Sequence, residues 1–460
     1  MTRRLFTASP LAVLAKAPRG PLRAGAAAAN INPHIGAPLA GSFTAGVAAD
    51  IHDDLFARSL VLDNGHTRVA LVLLDLCTAP ASVIESAKKA TGLPPENIVI
   101  CCTHTHSAPA ATHIFQARPE PEYLAFLTRR IVDSVRMAAA RLELAQIGFA
   151  FGREDSLAFS RRYFMKDGSV APNPFGGIDK VKTNPGAGNP AVVRAAGPID
   201  PALGLLSVRT ASGKPVAVVG NFSLHYVGGV KSGDVSADYF GYWAAEMTKR
   251  TGAPVAMLFN GAQGDVNNID VMRGPAEKLA PYVKMEQVAR QLAEKSAALL
   301  TRIDYSGEAE LGGSLEWLDL GVRLPSPEDV KNAQKTLQNT SKNDVFRDLP
   351  FVYARETLIM AETWPKREKV PVQALRIGNT GVACLPGEPF VELGLEMRRK
   401  SPLKQQFVLG LSNGHVGYIP TVEAHEQGGY ETWRAKTSYL EKDAAPEIVA
   451  AMLRRIQAIL

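Results

Sequence analysis

Two apolar runs, 69–76 and 97–102, flank a helix-like segment, 81–90, that stops at Gly92 with Pro94 beyond it. The first run is broken only by Asp75, and both read as buried strands. Alternation of strand and helix continues along the chain and places it among α/β folds. Further strands are expected at 216–224, 254–259, 372–377 and 406–411, and helices at 236–250, 275–300 and 444–460. Ser326-Pro327-Glu328-Asp329 reads as a helix start. The clearest helix is 122–144, where Leu124, Leu127, Ile131, Val135, Ala138 and Leu142 form one stripe at three- and four-residue steps. The expectation is a mixed β-sheet core with flanking helices.

The chain has 460 residues, enough for one large domain or two moderate ones, and no repeat or low-complexity linker divides it. We expect one domain over 24–460. A hydrophobic content of 46% against 21% charged is that of a globular protein. The net charge of +6 is scattered among acidic residues, and no zinc-finger or RNA-binding signature accompanies it, so nucleic acid is not an expected partner. No apolar run reaches the roughly 18–20 residues that span a bilayer. Cys77, Cys101, Cys102 and Cys384 lack CxxC spacing, and neighbours 101 and 102 alternate across a strand, which makes one of them core. Residues 164–198 are dense in Gly, Pro and Asn without periodicity, the character of a lid or binding loop. At the start, Thr2-Arg3-Arg4-Leu5-Phe6, an apolar stretch at 10–15 and Ala15-Lys16-Ala17 resemble a shortened twin-arginine export signal. Its use would make the protein periplasmic or secreted; otherwise it is cytoplasmic. The apolar stretch is short, and Lys16, Arg19 and Arg23 follow it closely, which counts against that reading.

Thr103-His104-Thr105-His106-Ser107 ends the 97–102 strand. Residues i and i+2 of an extended chain point to one side, so both imidazoles can share a pocket if the strand conformation persists. One can then serve as metal ligand and the other as acid/base group; the alternative is two ordinary polar residues at a strand end. Other strand ends also carry polar groups: His225 after Asn221-Phe222-Ser223-Leu224, a polar loop at 260–268, Glu388 after Pro386-Gly387, and Tyr418 after Gly417. Singly, each is more often structural. Jointly, they fall where α/β folds gather ligand groups. Two imidazoles and a carboxylate with an open position are the ligand set of many hydrolytic zinc sites.

Over roughly 24–433 the chain resembles the neutral/alkaline (non-lysosomal) ceramidase family, in the form of a bacterial relative rather than a ceramidase proper. The shared motifs appear in order: Asn32-Pro33, Pro38 to Gly41, Asp54 to Arg58, Thr103 to Ser107, Ser160-Arg161, Asn221 to His225, Gly264-Asp265-Val266, Pro386-Gly387-Glu388 and Tyr418 to Tyr430. The resemblance implies a ceramidase-like metallohydrolase catalytic domain. It implies a Zn2+ ion held by His104, His225, Glu388 and Tyr418, with His106 acting beside it and Arg161 and Tyr430 lining the substrate site. Zinc can bring the pKa of a bound water to about 7 and polarise an amide carbonyl. A histidine can then hand a proton to the leaving amine.

Three features depart from that family: the residue at 267, the segment Arg161-Arg162-Tyr163-Phe164-Met165-Lys166-Asp167-Gly168, which differs from the pattern of ceramidases proper, and the C-terminal β-sandwich. Asn267 stands where ceramidases proper carry a serine, so a serine-dependent step is absent, and Asn267 is left with a hydrogen-bonding role. The other Gly233-Asp234-Val235-Ser236 sits at a helix start, where Ser236 is expected to cap. The family's C-terminal β-sandwich is not expected in this chain. The resulting expectation is a zinc-dependent hydrolase of an amide or related C–N bond, acting on a small lipid or polar amide. The alternatives are hydrolysis of an ester or other bond in a polar substrate, and a non-catalytic, metal-stabilised binding protein.

Overall fold

The computed structural model describes residues 19–44, 46–274, 278–341 and 344–460. The export-signal reading at 2–17 and the first residues of the 275–300 helix lie outside the described residues; that helix runs Val283–Leu300.

The main sheet has eight strands. Their order from edge to edge is Val255–Asn260, Pro215–Phe222, Ala202–Thr210, Glu143–Arg153, Arg23–Asn30, Phe56–Asp63, Arg68–Leu74 and Ile98–Cys102. Its outermost pair at each edge is parallel and all other neighbours are antiparallel. Each parallel pair is joined over a crossover helix, Ala81–Thr91 at one edge and Asp238–Thr251 at the other.

A second, five-stranded sheet orders Arg19–Pro21, Glu308–Gly321, Arg367–Ile377, Thr380–Cys384 and Gln405–Leu409. The two sheets pack face to face. Val69, Leu71, Leu73, Val99 and Cys101 of the main sheet share one core with Leu311, Leu375, Val382 and Phe407 of the second. The alternate residues Ala70, Val72, Leu74, Ile98, Ile100 and Cys102 face helices Ala81–Thr91 and Pro121–Ala140. Continuous apolar runs therefore arise because those strands are covered on both faces. Helices Val391–Lys400 and Ala444–Gln457 close the outer face of the second sheet. Both Cys101 and Cys102 are core, on opposite faces, and burial raises both thiols, Cys101 to about 12.

The main sheet curls until its two edges nearly meet, and residues 410–413 fill the gap. Gly410 N–H donates to Asn260 O on one edge strand, at 3.0 Å. Asn413 N–H donates to Ile100 O on the other, at 2.7 Å. Strand ends seven positions apart in sheet order are thereby brought to one place.

Two expectations need correction. The 122–144 helix is Pro121–Ala140, and Glu143 already opens a strand. The 164–198 segment is not free of regular structure: Val181–Thr183 and Val192–Ala195 pair on either side of Arg162–Met165. Ser236 does meet the helix start, where its hydroxyl accepts from Asp238 N–H at 3.1 Å and donates to Asp53 at 2.5 Å.

Candidate metal centre

His104 comes from one edge strand of the main sheet and His225 from the strand next to the opposite edge. His104 follows Ile98–Cys102 and His225 follows Pro215–Phe222, and their rings lie 4.6 Å apart. Glu388 and Tyr418 are direct partners in a short parallel pair, Glu388–Pro389 with Tyr418–Ile419. Gly387, at φ 55°, makes this approach possible, because a Cβ there would fall 2.3 Å from Gly417 O.

The two histidines of Thr103–Ser107 meet for a reason other than strand alternation. The strand ends at Cys102 and His104 takes a left-handed φ of 75°, so the chain turns between them. Their Nε2 atoms end 3.1 Å apart. His106 packs against Gly41, whose missing side chain leaves it room, and stacks on Tyr226 at 3.6 Å.

Hydrogen bonds fix the tautomers. Nδ1 of His104 lies 2.9 Å from Cys77 O, that of His106 2.7 Å from Gly41 O and that of His225 3.2 Å from Gln263 O. A carbonyl oxygen can only accept, so each Nδ1 carries the proton and each neutral ring turns an Nε2 lone pair inward. Glu388 Oε2 lies 3.1 Å from His104 Nε2 and 3.9 Å from His225 Nε2. That oxygen is buried and has no hydrogen-bond donor.

Burial favours neutral imidazole and holds His106 and His225 well below the ordinary histidine range, with the His104 charge adding at His106 and Arg161 at His225. Burial opposes charge at His104 as well, but the Glu388 carboxylate and the Cys77 thiol raise it well above that range. Burial likewise works against ionising Glu388, yet His104 holds its carboxyl down to about 2. The site is thus arranged for one positive charge between Glu388 and His104, which a proton or a divalent cation can supply. His104, His225 and Glu388 offer ligand atoms all within 4.8 Å of one another. Two imidazoles and a carboxylate at that spacing, with the carboxylate oxygen unbonded, fit zinc bonds of about 2.0–2.2 Å. Cys77, His104 and His106 form a second group at similar spacing.

These residues form the floor of a cavity of about 610 Å3. Phe43, Ile114, Phe115, Val181, Leu349 and Trp433 give it largely apolar walls, and Lys182, Asn184 and Asp179 add polar groups. The 170–184 stretch supplies one wall.

No family model matches the chain. Neutral ceramidase of Mycobacterium tuberculosis is 21% identical, over 83% of this chain and 68% of the relative. The crystal structure of neutral ceramidase from Pseudomonas aeruginosa matches at a TM-score of 0.69 and 18% identity, covering 95% of this chain and 74% of that one. A ceramidase complexed with C2 matches equally, at 0.69 and 17% identity, over 95% and 75%. The fold of this chain is like that of neutral ceramidase.

Of the residues singled out in this ceramidase-like sequence, His104, His106, Arg161, His225, Glu388, Tyr418 and Tyr430 all line the cavity. Arg161 Nη1 lies 3.1 Å from His225 Nε2, and its guanidinium sits over the Tyr418 ring at 5.2 Å. Tyr430 meets Tyr418 edge-on at 5.7 Å. Asn267 does not line the cavity. It pairs with Phe159 in a two-stranded ladder and its amide donates to Asn184 Oδ1 at 2.6 Å, so it reaches the cavity only through Asn184. Sequence reasoning missed Tyr226, the neighbour of His225, and Glu431, the neighbour of Tyr430. Each adjoins a residue that was singled out, but their roles depend on contacts distant in sequence.

Proposed function

We propose that the protein is a zinc-dependent amidohydrolase cleaving a non-peptide C–N bond in a lipid-like N-acyl amide. The observation that carries this reading is the meeting of inward-facing Nε2 atoms and an unbonded carboxylate oxygen on the floor of an apolar-walled cavity. His104, His225, Glu388 and Tyr418 are the residues that would hold the zinc. Bound there, the metal would acidify a water and polarise the amide carbonyl. Arg161, a buried cation on the cavity lining, would stabilise negative charge on the carbonyl oxygen. His106 Nε2 is the acceptor that takes the proton from the attacking water and returns it to the leaving nitrogen, which departs poorly unless protonated. The aromatic walls take the acyl chain, keep water from it and hold the amide over His106.

Metal analysis of the purified protein, paired with hydrolysis of a fluorescent N-dodecanoyl sphingosine, tests this. Stoichiometric zinc, lost in His104→Ala and His225→Ala together with fatty-acid release, is the expected result. Metal-free protein whose zinc affinity is unchanged in both variants defeats the proposal, and turnover of a matched ester but no amide moves it to another bond.

A further inference from the structure

Glu431 is fully buried and does not line the cavity. It lies in the single turn Tyr430–Thr432. Its Oε1 accepts from Arg161 Nε at 2.7 Å. Its Oε2 accepts from the Thr183 hydroxyl at 2.8 Å and lies 3.6 Å from Arg162 Nε. One carboxylate therefore touches two guanidiniums and the strand that walls the cavity.

A guanidinium is flat and rigid, so fixing Nε fixes where both Nη atoms point. With Nε held by Glu431 and the guanidinium laid over Tyr418, Nη1 is directed at His225. The backbone reinforces the link, since Asn184 N–H donates to Arg161 O at 2.7 Å and Arg162 pairs with Thr183. Val181, Lys182 and Thr183 themselves form cavity wall.

We infer that Glu431 is a positioning residue that holds the Arg161 guanidinium against His225 and the Tyr418 ring at the cavity wall. Through Thr183 it makes that placement depend on the strand Val181–Thr183 being docked. When that strand lifts, Oε2 loses its hydroxyl donor and the carboxylate that orients Arg161 is freed to turn. Substrate that seats the strand would then complete the arginine's alignment. The inference rests on the amidohydrolase reading only for the chemistry Arg161 meets.

The test compares crystal structures of the wild-type protein and Glu431→Gln, an isosteric change that leaves one acceptor oxygen and puts an amide donor against the guanidiniums. We expect the Arg161 guanidinium to swing away from His225 Nε2 and the Tyr418 ring; an unmoved guanidinium overturns the inference. On the fluorescent N-dodecanoyl amide, we expect kcat to fall about a hundredfold, the scale of a lost oxyanion donor, with KM within about threefold. An unchanged kcat also overturns it. If the wild-type protein leaves the amide intact, the amidohydrolase reading fails and the structural comparison still decides, because it needs no turnover. Should the Gln variant not fold, Thr183→Val, which removes one hydroxyl from Oε2, is read by the same displacement.

Discussion

His104 joins its proposed part in metal ligation to a left-handed backbone, and the two pull against each other. A non-glycine residue at φ 75° costs about 1–2 kcal/mol through the contact of Cβ with its own carbonyl. Replacement by Ala keeps that cost while removing the imidazole. Replacement by Gly removes it, but gives back about 0.4–1 kcal/mol to the entropy of the unfolded chain. The strain is the larger effect, so metal-free His104→Gly is expected to be at least as stable as His104→Ala in denaturant titration; a clearly less stable Gly variant would show that the turn is unstrained. Asn267 gives a second prediction at this scale. Its amide holds Asn184 and does not itself form cavity wall, so Asn267→Ala is expected to raise KM severalfold with kcat nearly unchanged. A kcat loss as large as that of His106→Ala would place Asn267 among the reacting groups instead.

The elements that could be read from the sequence are those whose pattern comes from burial alone. Strands Arg68–Leu74 and Ile98–Cys102 are covered on both faces, and the helix between them ends in a left-handed Gly92. The Ser326 capping box is present as the motif predicts, with Asp329 N–H on the serine hydroxyl at 3.1 Å. Strand Arg23–Asn30 was not legible, because its run of alanines favours helix and becomes strand only between Phe56–Asp63 and Glu143–Arg153. Leu142 continues the preceding helix's apolar stripe, so that stripe alone could not mark the helix end. Helix Ala81–Thr91 also carries a misfit that periodicity does not show: Lys88 is buried, with Nζ 3.9 Å from Glu85 and 3.5 Å from Pro95 O. Burial lowers its pKa, and the Glu85 charge offsets this only in part. A lysine whose folded pKa lies below its unfolded value opposes folding at neutral pH, and the penalty fades as pH rises toward the unfolded value of about 10.4. Lys88→Met is therefore expected to stabilise the protein by about 1–3 kcal/mol at pH 7. The gain over wild type should shrink as pH rises toward about 10.4 and be gone above it, as read from denaturation midpoints across pH. A variant that is destabilised at pH 7 would show that Lys88 contributes through its contacts.

At the scale of the whole molecule, the site exists because a curled sheet brings its two edges together. The sequence shows His104 and His225 at strand ends, but the number of strands between them and the closure by residues 410–413 follow from tertiary packing that no local pattern encodes. The same holds for Glu388 and Tyr418, whose pairing depends on a two-residue ladder between segments thirty positions apart in sequence. Asn260 is where this closure meets the chemistry. It ends the edge strand Val255–Asn260, and its side-chain oxygen accepts from Leu224 N–H at 3.3 Å, next to His225. Its Nδ2 donates to Thr103 O at 3.2 Å, next to His104. One buried amide thus ties together the two loops that carry the histidines, and neither bond can be replaced by water in so enclosed a position. Asn260→Ala leaves a buried N–H and a buried C=O unpaired, which costs about 1–3 kcal/mol for each unsatisfied group. It also lets the two imidazoles drift apart. We expect zinc affinity to fall about 10–100-fold, as for other losses of support behind metal ligands. Competition with a chromophoric chelator, under conditions where circular dichroism shows the variant folded, measures this. Wild-type zinc affinity in a folded Asn260→Ala protein would mean that the ligand loops are held by the curled sheet itself, without the bridge between them.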